Sequence, residues 1–378
     1  MLVGATSTIY LRSSGLTLAD LGLLKAVQAA IILFTGIPLG YVADKWGRSN
    51  LVRLSTALSV AWLVLTAVRG DKSLFFVAEI FDALAIALYS SAFNALLVDA
   101  YKRETGKDDY ERVLGKYHKW QFGLMAGASF IGSILASPTS SFVWWLAALL
   151  VFTQMVLFNW ILPKEESIQM PHHLTRGPLW SIGDDFRAIP KVIFRSFPIT
   201  MLASAYVLFA FCHHILMQFW QPIVGGKQVA NHIGAFYGGS FLLILTAEWF
   251  AAHCSERKVS NYFLIKCVIF MIIALAIMAL FGYRFPAFLV IGTICLVFFF
   301  LRVITLTLYA AFLRLQPESM WATAESVLSA LSRVLLLPMS PFLGRMSQQM
   351  GVMVIPTALL VTSFLAFCPI VGIIRIKR

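Results

Sequence analysis

The sequence predicts an all-α polytopic membrane protein built as two six-helix bundles. Three observations carry this. Hydrophobic residues fill 59% of the 378 positions while charged residues fill 13%, and mean hydropathy is +0.81. A soluble domain is about half apolar and a quarter charged, so this chain lacks the polar surface to cover a globule in water. The apolar residues are gathered into long runs, and the longest polar connection divides those runs into near-equal sets.

A helix crossing a hydrocarbon core of about 30 Å needs about 20 apolar residues. Eleven runs qualify: Leu18–Val42, Leu51–Val68, Leu74–Val98, Gly115–Ala136, Phe142–Leu162, Phe197–Ile223, Ile233–Ala252, Tyr262–Phe281, Pro286–Leu313, Trp321–Leu343 and Val352–Ile374. Lipid offers the backbone no hydrogen-bond partner, so each is expected as a helix. Met1–Leu11 is apolar but too short to cross, at ~1.5 Å per residue. It reads as the outer half of a first helix whose beginning is absent, or as a short surface anchor. It lacks a basic n-region, so no cleavable signal peptide is expected. The expected bundles are 1–162 and 197–378, joined by the polar connection 163–196.

The net charge is +12. A basic balance can mark a nucleic-acid binder, but here the lysines and arginines sit in the connections. If the loop holding Lys45 and Arg48 is cytoplasmic, 21 of the 30 basic residues fall on that side or in the C-terminal tail, six on the other, and three inside spans. The asymmetry predicts that orientation, with the C-terminus cytoplasmic. Cys212, Cys254, Cys267, Cys295 and Cys368 lie in or beside apolar runs without a C-x-x-C pair. They read as small apolar residues, not as a disulfide or metal framework.

Between the second and third spans the chain reads Gly40-Tyr-Val-Ala-Asp44-Lys45-Trp-Gly47-Arg48. It resembles the G-x-x-x-D-[RK]-x-G-[RK] signature of the major facilitator superfamily, at the position that family gives it. Gly40 allows close helix approach, Asp44 can accept bonds from a facing helix N-terminus, Gly47 permits a tight turn, and Lys45 and Arg48 can meet headgroups or acidic partners. The resemblance implies that Asp44 helps latch two bundles on the cytoplasmic side, against the helix opening near Trp321. A plain charged loop would explain Lys45 and Arg48 but not the Gly and Asp spacing. Glu248–Lys258 reads as a decayed copy with its glycines lost. Glu79 stands where drug exporters of the family often carry Arg, and Ala128 replaces the Pro of the antiporter motif in the span with Gly123, Gly127 and Gly132. Both departures point away from a multidrug antiporter.

Ionisable groups inside a membrane are costly and are functional candidates by default. Glu79 and Asp82 share a helix face at i and i+3, continued by Tyr89. Two carboxylates this close repel, which suits a proton carrier; a structural pairing with Lys25, at similar depth, is the alternative. Arg302 lies mid-span with Thr305 and Tyr309 on its face. The resemblance places its helix along the transport path, so Arg302 and Tyr309 are candidate solute contacts, an internal ion pair with Glu79 or Asp82 being the other reading. Arg333 reads as structural, with Glu325 two turns earlier. His214, Gln218 and Gln221 share a face of the seventh helix. His214 could relay protons or simply bond a neighbouring helix.

The chain has no H-E-x-x-H, nucleophile elbow or Gly-rich nucleotide loop. This argues against an enzyme and against ATP-driven transport within this chain. A non-transporting receptor or scaffold would not need a mid-membrane Arg302. The expectation is a monomeric secondary transporter of the cytoplasmic membrane, without cofactor, metal or nucleic-acid partner. It would move a small organic solute by alternating access with proton coupling. Export is the leading direction, and uptake of an anionic metabolite or siderophore-like compound is the alternative. The residues assigned are Arg302, Tyr309, His214, Gln218 and Tyr89 for the solute, Glu79 and Asp82 for the proton, and Gly40, Asp44, Lys45, Gly47 and Arg48 for gating.

Overall fold

A computed structural model describes residues 2–105, 110–136, 140–161, 196–225, 233–255, 261–316 and 321–376. These form twelve α-helices: α1 Ser7–Ser13, α2 Leu18–Trp46, α3 Arg48–Val68, α4 Lys72–Thr105, α5 Tyr110–Leu135, α6 Phe142–Ile161, α7 Phe197–Gly225, α8 Ile233–Ser255, α9 Asn261–Phe281, α10 Ala287–Arg314, α11 Trp321–Met350 and α12 Val354–Ile376. No strand occurs among the described residues. Seven helices contain apolar windows of 18–28 residues, long enough to cross a membrane. The chain is therefore an all-α multi-pass membrane protein.

Each expected run coincides with a helix to within a residue or two at its ends, or lies inside a longer one. α2 continues past Val42 to Trp46, α4 past Val98 to Thr105, and α11 past Leu343 to Met350. Hydropathy reports where lipid ends, whereas a helix stops where the backbone is interrupted. Gly47 joins α2 to α3 at φ 92°, Arg69 ends α3 in the left-handed region at φ 60°, and Gly351 separates α11 from α12 at φ 91°. α1 is shorter than the half-span expected, with turns over residues 2–6. Its Tyr10 is buried and donates to Thr66 O at 2.9 Å, fixing α1 to the end of α3.

The start of α2 is a capping box. Thr17 N–H donates to Asp20 Oδ2 at 2.8 Å, and Asp20 N–H donates back to Thr17 Oγ1 at 3.1 Å. Lys72 binds the same carboxylate at 2.8 Å, tying the starts of α2 and α4 together.

Lipid gives helices no hydrophobic reason to associate, so close packing of small residues and interhelical hydrogen bonds must hold them. Ala83, Ala85 and Ala87 are buried along α4, and Ser55 of α3 donates to Ala85 O at 3.0 Å. In the N-terminal half α3 packs on α4 and α6, and α2 on α4. In the C-terminal half α10 packs on α7, α8 and α9, and α12 on α7 and α9. The halves meet where α2 lies against α11 and α5 against α8. Cys212 and Cys267 are buried free thiols within the C-terminal core.

The connection 163–195 and the inner end of the expected motif copy, residues 256–258, lie outside the described residues. So do the surroundings of Gly40 and the side chains of Asp44 and Lys45.

Candidate functional site

The first polar group in the interior joins α2 to α4. Both helices carry polar residues three apart on the facing side, Lys25 and Gln28 on one, Glu79 and Asp82 on the other. Spacing of i and i+3 stacks side chains on one face, so the two pairs meet. Lys25 Nζ binds Glu79 Oε1 at 2.8 Å, and Gln28 Nε2 donates to Asp82 Oδ2 at 2.6 Å. Lys25 also reaches Gln28 Oε1 at 3.3 Å. Glu79 and Asp82 are 6% and 5% exposed. Lys25 keeps 42% of its side-chain surface accessible although its ammonium lies deep within the helices. A group both deep and accessible faces an internal cavity.

The second group belongs to the C-terminal half. Tyr206, His214 and Gln218 are spaced by multiples of four along α7 and share a face. His214 is also deep yet exposed, and Arg333 of α11 acts electrostatically on it and on Tyr206. The Tyr206 and Tyr309 rings pack with centroids 6.0 Å apart, linking α7 to α10. Arg302 and Tyr309 are half-buried on α10. Thr305 donates to the carbonyls of Leu301 and Arg302 at 2.8 and 3.1 Å, so its hydroxyl serves its own helix.

One end of the molecule is sealed between the halves. Gln218 donates to Leu21 O at 3.2 Å and accepts from Ser340 Oγ at 2.7 Å, and Ser340 also donates to Gly22 O at 3.0 Å. Gln221 accepts from Thr8 N–H and donates to Gly4 O, both at 3.1 Å. Backbones touch here: a Cβ at Gly22 would strike the Ser340 carbonyl, and one at Gly344 the Leu18 carbonyl. Across the neighbouring seam, Gly238 of α8 meets Ser133 of α5 and Gly132 meets Leu2 O. All these contacts lie at the end opposite Trp46 and Gly47.

The depth of the cavity groups follows. Lys25 is four residues from Leu21 along α2, and His214 four residues from Gln218 along α7, both away from the seal. One helical turn is 5.4 Å, so Lys25 and His214 stand at one level on opposite sides of the seam. Asp82 and Tyr89 are two turns apart on α4. Tyr89 bonds the Tyr117 hydroxyl of α5 at 2.8 Å, with Phe93 stacked against its ring at 4.5 Å.

The structure thus brings Glu79 and Asp82 together with Lys25, and sets His214 within electrostatic range of Arg333. Gln218 lies in the seal between the halves. Tyr309 lies against Tyr206, and Tyr89 against Tyr117. Gln28, Tyr117, Tyr206 and Ser340 were not singled out from sequence. Gln28 was findable, because it repeats the i, i+3 spacing of the acids it faces. Ser340 was not, since nothing in α11 names Gln218 as its partner. Among the described residues no group of three His, Cys, Asp or Glu side chains could hold a metal ion.

Helices that cross a membrane and enclose a charged, water-reachable cavity, sealed at one end by contacts between two halves, make up a membrane transporter. The chain belongs to the Major Facilitator Superfamily, whose family model matches residues 1–320. An uncharacterized MFS-type transporter, YxaM of Bacillus subtilis (strain 168), is 24% identical over 249 residues, covering 63% of this chain and 59% of that protein. The match therefore spans less than two thirds of that relative's length. Among solved structures, a mutant form of the nucleoside transporter NupG superposes with a TM-score of 0.78 at 14% identity, over 98% of this chain and 96% of that one. A bacterial homolog of the human lysosomal transporter Spinster, in an inward-facing and occupied conformation, gives 0.69 at 14% identity over 99% and 92%. A POT family transporter in complex with 5-aminolevulinic acid gives 0.67 at 13% identity over 98% and 93%. At these identities the likeness establishes the fold.

Proposed function

We propose that this transporter moves a small organic solute by alternating access, coupled to protons, without catalysing a reaction. The observation that carries the reading is the Lys25–Glu79–Asp82–Gln28 cluster, buried between α2 and α4 one turn below the seal. One ammonium faces two carboxylates. Gln28 offers Asp82 a neutral amide, so the cluster holds one carboxylate more than its lysine can balance. A buried charge without a counter-ion is expensive, and binding a proton removes it. The proton is then held beside the cavity that Lys25 faces, where passage to either side of the membrane depends on which end is sealed.

The seal at the Gly22–Ser340 end and the position of Gly40–Arg48 at the other suit rocking of two halves about a central site. With the motif loop cytoplasmic, as the basic residues argue, the sealed end is the outer one. Export remains the leading direction. Uptake of an anionic compound is the second reading, favoured by the cationic C-terminal wall at Arg333 and Arg302.

Flux into proteoliposomes under an imposed pH gradient tests the coupling. Wild type should respond to the gradient, and Glu79→Gln with Asp82→Asn should not. Gradient-driven flux at wild-type level in the double variant would remove the proton role from this cluster.

A further inference from the structure

Resting on the transport reading, we infer that Lys25 and His214 grip the transported solute from opposite halves, and that this solute is uncharged, with hydrogen-bonding groups at two ends. The seal fixes where both side chains stand. Gln218 Nε2 donates to Leu21 O at 3.2 Å, so α7 and α2 touch at that level. His214 lies one turn from Gln218 along α7, toward the Trp46 end, and a spacing of four keeps it on the same face. Lys25 lies one turn from Leu21 along α2 in the same direction. It also follows Gly22, which packs against the Ser340 carbonyl, by three residues and shares its face. Both side chains therefore look into the seam between the halves. Ser340 bonds Gly22 O and Gln218 Oε1 above them and roofs the space. His214 is exposed although Cys212, Ile215 and Leu216 around it are fully buried. Lys25 keeps 42% of its side chain accessible. Side chains exposed on facing surfaces beneath a closed contact border a space between them.

Each side chain leaves polar atoms unspent. An ammonium has three N–H donors. Lys25 gives one to Glu79 Oε1 at 2.8 Å and one to Gln28 Oε1 at 3.3 Å, and the third is left for the cavity. Among the described residues the His214 imidazole has ring contact with His213, at 6.0 Å between centroids, and no hydrogen bond. A neutral imidazole offers one N–H and one lone pair. Polar groups inside a protein are ordinarily satisfied by the chain, by water or by a ligand. The chain satisfies neither of these fully, so a solute that reaches both gains a bond at each end.

Charge decides the class. The Lys25 ammonium is matched by Glu79 in direct contact, and Asp82 stands in excess beside them on Gln28. An anionic solute at Lys25 would bring a third negative group against two carboxylates. A cationic one would meet the ammonium head-on, and Arg333 acts electrostatically on His214 at the other wall. Like charges that close are costly where water is scarce. The two walls therefore present hydrogen-bonding capacity with no net charge to match. The solute carries an acceptor, a carbonyl or hydroxyl oxygen, toward Lys25, and a donor or an acceptor toward His214. Holding it at both ends ties one half of the molecule to the other, which favours closure over a loaded site.

The test uses the full chain, purified, with thermal unfolding read against three pyridines that differ in charge: nicotinamide, nicotinate and picolylamine, at millimolar concentration. Nicotinamide is uncharged, with an amide at one end and a ring nitrogen at the other. It should raise the melting temperature, and the acid and the amine should not. His214→Phe should weaken the nicotinamide response about 3- to 10-fold in apparent affinity, the loss of a neutral hydrogen bond. Lys25→Met with Glu79→Gln should weaken it about 10- to 100-fold, the loss of a bond from a charged donor. A further arm needs no variant to fold. Diethyl pyrocarbonate should modify His214 in the wild-type chain, read by peptide mass spectrometry, and nicotinamide should protect it. The assignment is overturned by no response to nicotinamide, by an equal response to acid or amine, by a wild-type response in either variant, or by a His214 that stays unmodified without ligand. A response to nicotinate alone overturns it in favour of an anionic solute. Protection of His214 without nicotinamide flux in proteoliposomes would sink the transport reading and leave the subsite. Nicotinamide flux unaffected by His214→Phe would do the reverse.

Discussion

Lys25 and Glu79 meet at 2.8 Å in a place where neither is easily spared. Glu79 is 6% exposed, so removing its lysine strands a carboxylate among helices. Lys25 itself looks into the cavity, where water tempers the loss. Lys25→Ala should therefore destabilise the fold by about 1–3 kcal/mol, less than the loss of one partner from a dry buried pair. Lys25→Met combined with Glu79→Gln removes both charges and should recover most of that. Chemical or thermal unfolding of the purified protein checks it, and a double variant as unstable as Lys25→Ala would contradict the pairing argument. Asp82 differs, because its partner is the neutral Gln28. Gln28→Ala should disturb the proton dependence of flux more than the melting temperature.

Among the elements, α2 and α11 make the decisive contact. Gly22 and Gly344 let two backbones touch, and Ser340 and Gln218 commit their side chains to backbone carbonyls across the joint. Hydrogen bonds of side chain to backbone can be broken and remade without stranding a charge, which suits the opening that the proposed transport cycle requires. Pro338 and Pro341 stand inside α11 around Ser340. Each removes a ladder donor, so α11 is less stiff where it packs on α2. Leucine at Gly22 should wedge the joint, and Gln218→Ala should loosen it. Spin labels at Asp71→Cys and Gln349→Cys, both exposed at this end, should then report longer and broader distances than in wild type. Unchanged distances in both variants would show that the seal lies elsewhere.

For the whole molecule, large apolar side chains face outward while Glu79 and Asp82 lie buried inside. Trp160, Leu124 and Phe288 are 83%, 68% and 67% exposed, which in water would invite aggregation and in lipid is ordinary. The expectation from the basic residues is that the Trp46 end is cytoplasmic. Membrane-impermeant maleimide added to intact cells should label Asp71→Cys and spare Trp46→Cys, and the opposite pattern would invert the topology. Inversion would leave the fold intact and turn the sealed end inward.

The eleven apolar runs were legible as helices, seven of them with windows long enough to cross a membrane, because a bilayer leaves the chain no choice but apolar helices, and the Gly40–Arg48 motif named the family on its own residues. The candidate acids were legible too, since Glu79 and Asp82 interrupt an apolar run at i and i+3. Their partners were not equally so. Sequence offered Lys25 as a counter-ion by depth alone, and it ranked Arg302 above Arg333 because helix order suggested which spans front a path. Only the tertiary structure put Gln28 on Asp82, Gln218 in the seal, and Arg333 within electrostatic range of His214. The physical reason is that solvent dictates composition residue by residue, while helix rotation and pairing depend on small-residue contacts between segments hundreds of positions apart. Gly22 and Ser340 are 318 residues apart in the chain and in bonding contact in the fold.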